Sequence, residues 1–140
     1  MLLDLESLQK AVAGLKSVLA KSDDTTFMNS LDEVAQNAIK AGVIQYFEFT
    51  YELCWKFMKR WLEMNISPMV ADGVSRRQLF RLAAEHRLIA DVDRWMRYHA
   101  ARNETSHTYN PEISERVYKA AHDFARDAED LLKALEARND

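Results

Sequence analysis

Cysteine, proline and glycine are all scarce in this chain of 140 residues, which has one Cys, two Pro and three Gly. The lone thiol, Cys54, excludes an intramolecular disulfide and any zinc site built on several cysteines. So few Gly and Pro leave an all-β fold without its tight turns. No apolar run approaches the roughly 20 residues of a membrane-spanning helix. The opening MLLDLESLQK lacks the basic leader and unbroken apolar stretch of a signal peptide, so a cytoplasmic chain with no membrane partner is expected. Asn103-Glu104-Thr105 fits the glycosylation pattern, but nothing directs the chain to a secretory route. No glycine-rich phosphate loop is present, so ATP would have to bind a partner. His86, His99 and His122 show no ligand spacing with one another or with acids, and neither a metal nor another cofactor is expected. Repeats, low-complexity tracts and long linkers are missing too, which leaves one domain over residues 1–140.

What is present is helical pattern. Hydrophobic residues make up 48% of the chain, enough for a packed core. Leu5, Leu8, Val12, Leu15 and Leu19 step by threes and fours along one helix stripe, which the polar KSDDTT (21–26) should end. From Phe27 to Asn65 there is no proline and one glycine, which predicts one long helix or two stacked end to end. Val43, Phe47, Tyr51, Cys54, Met58 and Trp61 form its stripe, while Phe49, Trp55 and Phe57 fall off it. A helix apolar on several faces needs several neighbours, as the centre of a bundle or as part of a dimer interface. Cys54 in that stretch reads as a small core residue. Glu52 and Lys56 are spaced as a favourable pair on one helix face, which is preferred over a role for Glu48 and Glu52 near a functional site.

ISPMVADG (66–73) reads as a loop, and Ser75-Arg76-Arg77-Gln78 as a capping box opening a helix to about Arg87. Asp91 can cap the next helix, with Val92, Trp95 and Met96 on its apolar side. Asn110-Pro111 starts the last, which carries Val117, Ala121, Phe124, Ala128, Leu131 and Leu135 on one stripe. The sum is an all-α antiparallel bundle of about five helices. Net charge is −3, yet residues 56–102 hold ten Lys/Arg against five Asp/Glu, a basic centre in an acidic protein. Such a centre suits phosphate or simply a solvated surface.

The polar stretch RNETSHTY (102–109) carries the chemistry. On a continuous helix Arg102 and His107 would lie about 140° apart. A break near Ser106 would let His107 fold back toward Arg102, with Tyr109 beside them. The start of the last helix would add backbone N–H groups, and together these suit a phosphate. Histidine moves protons near neutral pH, and arginine steadies charge on a phosphorane. These are the parts of a metal-independent ribonuclease. By spacing alone, a capping or hydrogen-bonding histidine is the simpler reading.

Arg102-x4-His107-x-Tyr109, with Asn103 after the arginine, resembles the signature of HEPN-domain proteins, in particular HepT-type toxins paired with a minimal nucleotidyltransferase antitoxin. VIQYFEFTYELCWKFMKRWLE (43–63) resembles the aromatic helix of the related nucleotidyltransferase substrate-binding protein family, and RNETSHTYNPE its RNxxSHTY segment. The two blocks stand in the expected order, and the resemblance covers nearly the whole chain. It implies an asymmetric helical bundle forming a homodimer, with two motifs facing each other across a cleft. Arg102 and His107 would then cleave an RNA substrate, supported by Asn103 and Ser106. The minimal nucleotidyltransferase partner would neutralise the toxin by transferring AMP to Tyr109. Two positions depart from the pattern: Glu104 brings an acid into the motif, and Tyr46 replaces an expected arginine. A non-catalytic substrate-binding subunit is the main rival, in which Arg102 and His107 bind a nucleotide or anchor the transferase. A third possibility is a helical interaction module without a ligand. Trp55 and Trp61 are assigned to core or interface rather than to base stacking.

Overall fold

A computed structural model describes residues 2–139 and contains helices joined by turns. In order these are α1 (Glu6–Asp23), α2 (Thr25–Asn29), α3 (Glu33–Asn65), α4 (Arg76–Glu85), α5 (Val92–Glu104), a 3-10 turn (Thr105–His107) and α6 (Pro111–Ala137). Five longer helices and one of five residues form the expected all-α bundle.

Most boundaries follow from their caps. Ser75 and Gln78 bond reciprocally as a capping box, Asp91 accepts from the Arg94 N–H, and Asn110 accepts from the Glu112 N–H. α4 ends at Glu85, two residues short of expectation. Arg87 there adopts a left-handed φ of 61°, and the Leu88 N–H reaches back to the Ala83 carbonyl at 2.8 Å. This is the Schellman closure that glycine usually supplies. The reading of residues 27–65 needs a larger correction. The chain breaks after α2, because Asp24 and Asp32 each cap a helix start, accepting from Phe27 and Ala35 N–H groups at 3.0 and 2.8 Å. The Gln36 amide then ties the corner by donating to the carbonyls of Met28 and Leu31.

α1 and α3 are antiparallel, as the Thr50 hydroxyl bond to the Ala11 carbonyl and the close approach of Tyr46 to Gly14 show. A Cβ at Gly14 would stand 2.3 Å from the Tyr46 ring, so glycine makes room for that ring. α6 runs parallel to α3, with Phe47 meeting Phe124 and the Trp61 Nε1–H donating to the Arg138 carbonyl. α5 is antiparallel to α6, pairing Arg94 with Asp127 at 2.9 Å near one end and Glu104 with Arg116 at 3.0 Å near the other. α4 packs across α3 and α5. All four neighbours use the many-sided apolar surface of α3. Its predicted stripe is buried, and so is off-stripe Phe57, whereas Phe49 is 52% exposed. Burial also pushes the Cys54 thiol pKa up, which fits a core residue rather than a nucleophile.

Phe124 is the aromatic hub. Its ring centre lies 5.0 Å from Phe47, 5.2 Å from Tyr98, 5.7 Å from Trp95 and 6.3 Å from Tyr51. Each fully buried large side chain contributes about 1.5–3 kcal/mol, against roughly 0–1 for an exposed ion pair. The core therefore sets stability, not surface pairs such as Lys10–Glu6. No described helix is long and apolar enough to cross a membrane. Phe124→Ala should cost about 3–5 kcal/mol in urea unfolding, because three helices lose one shared contact; a loss below about 1 kcal/mol would contradict this packing.

Candidate active site

Arg102 occupies the last turn of α5, half-buried against α3. Its Nε lies 3.2 Å from Glu52 Oε1, and its Nη1–H donates to Thr105 Oγ1 at 3.2 Å. The Glu52 contact is a charge pairing rather than an aligned hydrogen bond, since the buried Nε–H has no well-directed acceptor. Thr105, itself buried, returns a bond from its hydroxyl to the Arg102 carbonyl at 2.7 Å. Glu52 also accepts the Trp55 indole N–H at 3.0 Å. It forms no ion pair with Lys56 among the described residues, so the simpler expectation for this glutamate is corrected: it belongs to the site. The sequence offers Glu48 and Glu52, four apart on the helix, as residues that could approach the site, but without the fold nothing places α5 beside them.

The polar stretch does not open into a loop at Ser106. It continues from α5 as one 3-10 turn, and Asn110 N–H closes onto the His107 carbonyl at 3.0 Å. His107 and Tyr109 are exposed, with ring centres 6.0 Å apart and edge to face. Tyr109 is 83% exposed, which leaves its hydroxyl open to a reactant. No hydrogen bond joins His107 to Arg102 among the described residues, so the expected fold-back is not seen within one chain. Ser106 is exposed and makes no side-chain hydrogen bond among those residues. The neighbour that engages Arg102 is Thr105, not Ser106. Asn103 places its amide 3.5 Å from the His99 ring rather than between Arg102 and His107. The start of α6 is already capped by Asn110 and carries Glu112 in its first turn, which weakens it as a phosphate cradle. Glu104, the acid within the motif, is paired with Arg116, so its charge is largely answered on the spot.

His99, one turn before Arg102, was not singled out from sequence. Its Nδ1 lies 2.8 Å from the buried Tyr51 hydroxyl. Burial, chiefly, and then the nearby Arg76 charge hold the His99 pKa below its ordinary value; Glu52 opposes them and Arg102 adds to them. Burial likewise pushes the Tyr51 pKa up, so the phenol is the donor and a neutral His99 the acceptor. The result is a polar seam of Tyr51, Glu52, His99 and Arg102 between α3 and α5.

The same arrangement of helices is found in known proteins. Residues 3–137 match the family described as nucleotidyltransferase substrate binding protein like. A Haemophilus influenzae protein named probable ribonuclease HepT is 35% identical over 140 residues, covering 98% of this chain and 94% of that protein. A solved Haemophilus influenzae structure, described as the fold of a substrate binding domain of a nucleotidyltransferase, superposes with a TM-score of 0.91 at 33% identity, over 95% of this chain and 99% of the other. A Thermus thermophilus protein of known structure superposes with a TM-score of 0.71 at 26% identity, over 91% and 98% of the two chains. With its motifs in order and the match spanning nearly its full length, the chain belongs to the nucleotidyltransferase substrate-binding-protein-like family, a branch of the HEPN-like proteins.

Proposed function

We propose that this protein is the toxin of a HEPN and minimal nucleotidyltransferase pair, a metal-independent endoribonuclease whose site is Arg102 and His107. The observation that carries the reading is the exposed His107 ring, at the end of the 3-10 turn that follows α5, five residues after the anchored Arg102. Its likeness to a protein named as a probable ribonuclease supports it. In the reaction a base removes the proton of the ribose 2′-OH, and the 2′-oxygen attacks phosphorus. An acid protonates the departing 5′-oxygen, leaving a 2′,3′-cyclic phosphate and a 5′-hydroxyl. Two proton-transfer roles need two groups, and a homodimer supplies two copies of His107 across its cleft. Arg102, steered by Glu52 and Thr105, offers its guanidinium to the charge that grows on the phosphoryl oxygens.

Tyr109 gives the partner its handle. Attack of its hydroxyl oxygen on the α-phosphorus of ATP held by the nucleotidyltransferase would join AMP to the ring and release pyrophosphate. The added negative charge and bulk beside His107 would repel RNA phosphate and close the cleft.

A second reading is favoured by the occupied state of Arg102 and by the substrate-binding description of the Haemophilus structure. Here the chain presents a substrate to the transferase and cuts nothing. Growth of a bacterial host expressing the chain without a partner separates the two. Growth arrest and RNA cleavage should occur with the intact chain and be lost with Arg102→Ala and His107→Ala at equal abundance. In purified form each substitution should lower cleavage about 100-fold or more, with the fold retained. Equal growth of all three with intact RNA would favour the binding subunit.

His99 yields a separate expectation, because its folded pKa lies below the ordinary 6.5. The unfolded chain then binds the proton more readily, so the stabilisation is complete above about pH 6.5 and is lost as pH falls below it. Urea midpoints should drop between pH 7.5 and 5.5, and His99→Gln should lessen that drop. An identical drop in both proteins would show that His99 does not titrate differently on folding.

A further inference from the structure

Behind the seam lies a second cationic cavity, distinct from His107 and Tyr109. It encloses about 410 Å³ between α3, α4 and α5, and Trp55, Lys59, Arg76 and His99 line it. The Arg76 guanidinium carbon sits 3.7 Å from the centre of the Trp55 ring. Trp55 is itself fixed by the bond from its indole N–H to Glu52. Arg76 nonetheless makes no ion pair or hydrogen bond among the described residues, and its Nε–H is buried and unpaired. Lys59 likewise meets no carboxylate among those residues. The nearest acid facing this seam, Glu52, is already committed to Arg102 and Trp55. Buried arginine donors are normally satisfied, because leaving one unpaired costs free energy. A guanidinium over an indole with unpaired donors, beside a lysine in a cavity, suits an oxygen-rich anion.

The position of the cavity identifies the anion. His99 belongs both to its wall and to the seam that holds Arg102. A strand whose reacting phosphate lies at Arg102 and His107 would bring a neighbouring phosphate over His99 to Arg76 and Lys59. We propose that the Trp55–Arg76–Lys59 cavity is a second phosphate subsite for single-stranded RNA, flanking the point of cleavage. This rests on the ribonuclease reading for its substrate, although RNA binding is measured apart from cutting. It also gives a use to part of the basic centre of the sequence that the motif leaves unexplained.

The test is binding of a labelled single-stranded RNA oligonucleotide to the His107→Ala chain, followed by fluorescence anisotropy across a salt series. Arg76→Gln and Lys59→Gln are compared with Arg126→Gln on a surface turn of α6, where the side chain is 75% exposed. Circular dichroism checks the fold, and Lys59→Gln serves should Arg76→Gln unfold. Each cavity substitution should weaken binding about 5–10-fold and flatten the slope of log affinity against log salt by about 0.7, the loss of one contact to a single strand. Arg126→Gln should change neither. If all three variants fall alike, only general charge is at work and the subsite is refuted. The same holds if free AMP binds in an Arg76-dependent way while oligonucleotide affinity and slope do not change. RNA cleavage by the unsubstituted chain with unchanged affinity in both cavity variants would refute the subsite and leave the nuclease standing. Arg76-dependent binding without any cleavage would support the subsite and refute the nuclease.

Discussion

The fold depends on the need to cover the several apolar faces of α3. Its 33 residues carry more apolar surface than one neighbour can hide, so α1, α4, α5 and α6 all pack against it. Phe124, on α6, locks α3, α5 and α6 together through Phe47, Tyr98 and Trp95. The consequence for function is one of position. Once α5 lies along α3, the last turn of α5 has to pass the polar side of the central helix at Glu52.

The seam there sets charges against one another. Arg102 is anchored by Glu52 and Thr105 rather than left to swing in solvent, and an arginine held in this way loses less freedom when it meets a phosphate. His99, near Arg76 and Arg102, has its pKa held below the ordinary value and accepts a hydrogen bond from the Tyr51 hydroxyl, whereas the exposed His107 ring makes no such bond among the described residues. The acid inside the motif, Glu104, is drawn off by Arg116. Protein charges are thus satisfied on the inner side of the motif, while its outer side is open.

Much of this was legible in the sequence, for definite reasons. Caps with side-chain chemistry, Ser75, Asp91 and Asn110, stand at the predicted helix starts because their partners lie within three residues. The stripes of α1 and α6 carry a 3.6-residue period, and the structure buries them as predicted. The break at Asp32 escapes the sequence because no Pro or Gly marks it, and only the capping side chain of Asp32 signals the new start. The site was legible only where it is local. Arg102, His107 and Tyr109 share eight residues, whereas Glu52 reaches Arg102, and Tyr51 reaches His99, through contacts far along the chain. Pairing Glu52 with Lys56 by spacing failed because a half-buried arginine from another helix is a better partner than a solvated lysine on the same one. Trp55, assigned to core or interface, is half-buried and packs against the core, and its ring also carries Arg76.

The most direct test of the central claim is the chemistry of the cut ends. RNA incubated with the purified chain in excess chelator should yield fragments ending in 2′,3′-cyclic phosphate and beginning with 5′-hydroxyl, as attack by the neighbouring 2′-oxygen requires. Intact RNA, or fragments bearing 5′-phosphate that form only when metal is restored, would contradict an Arg102–His107 nuclease site.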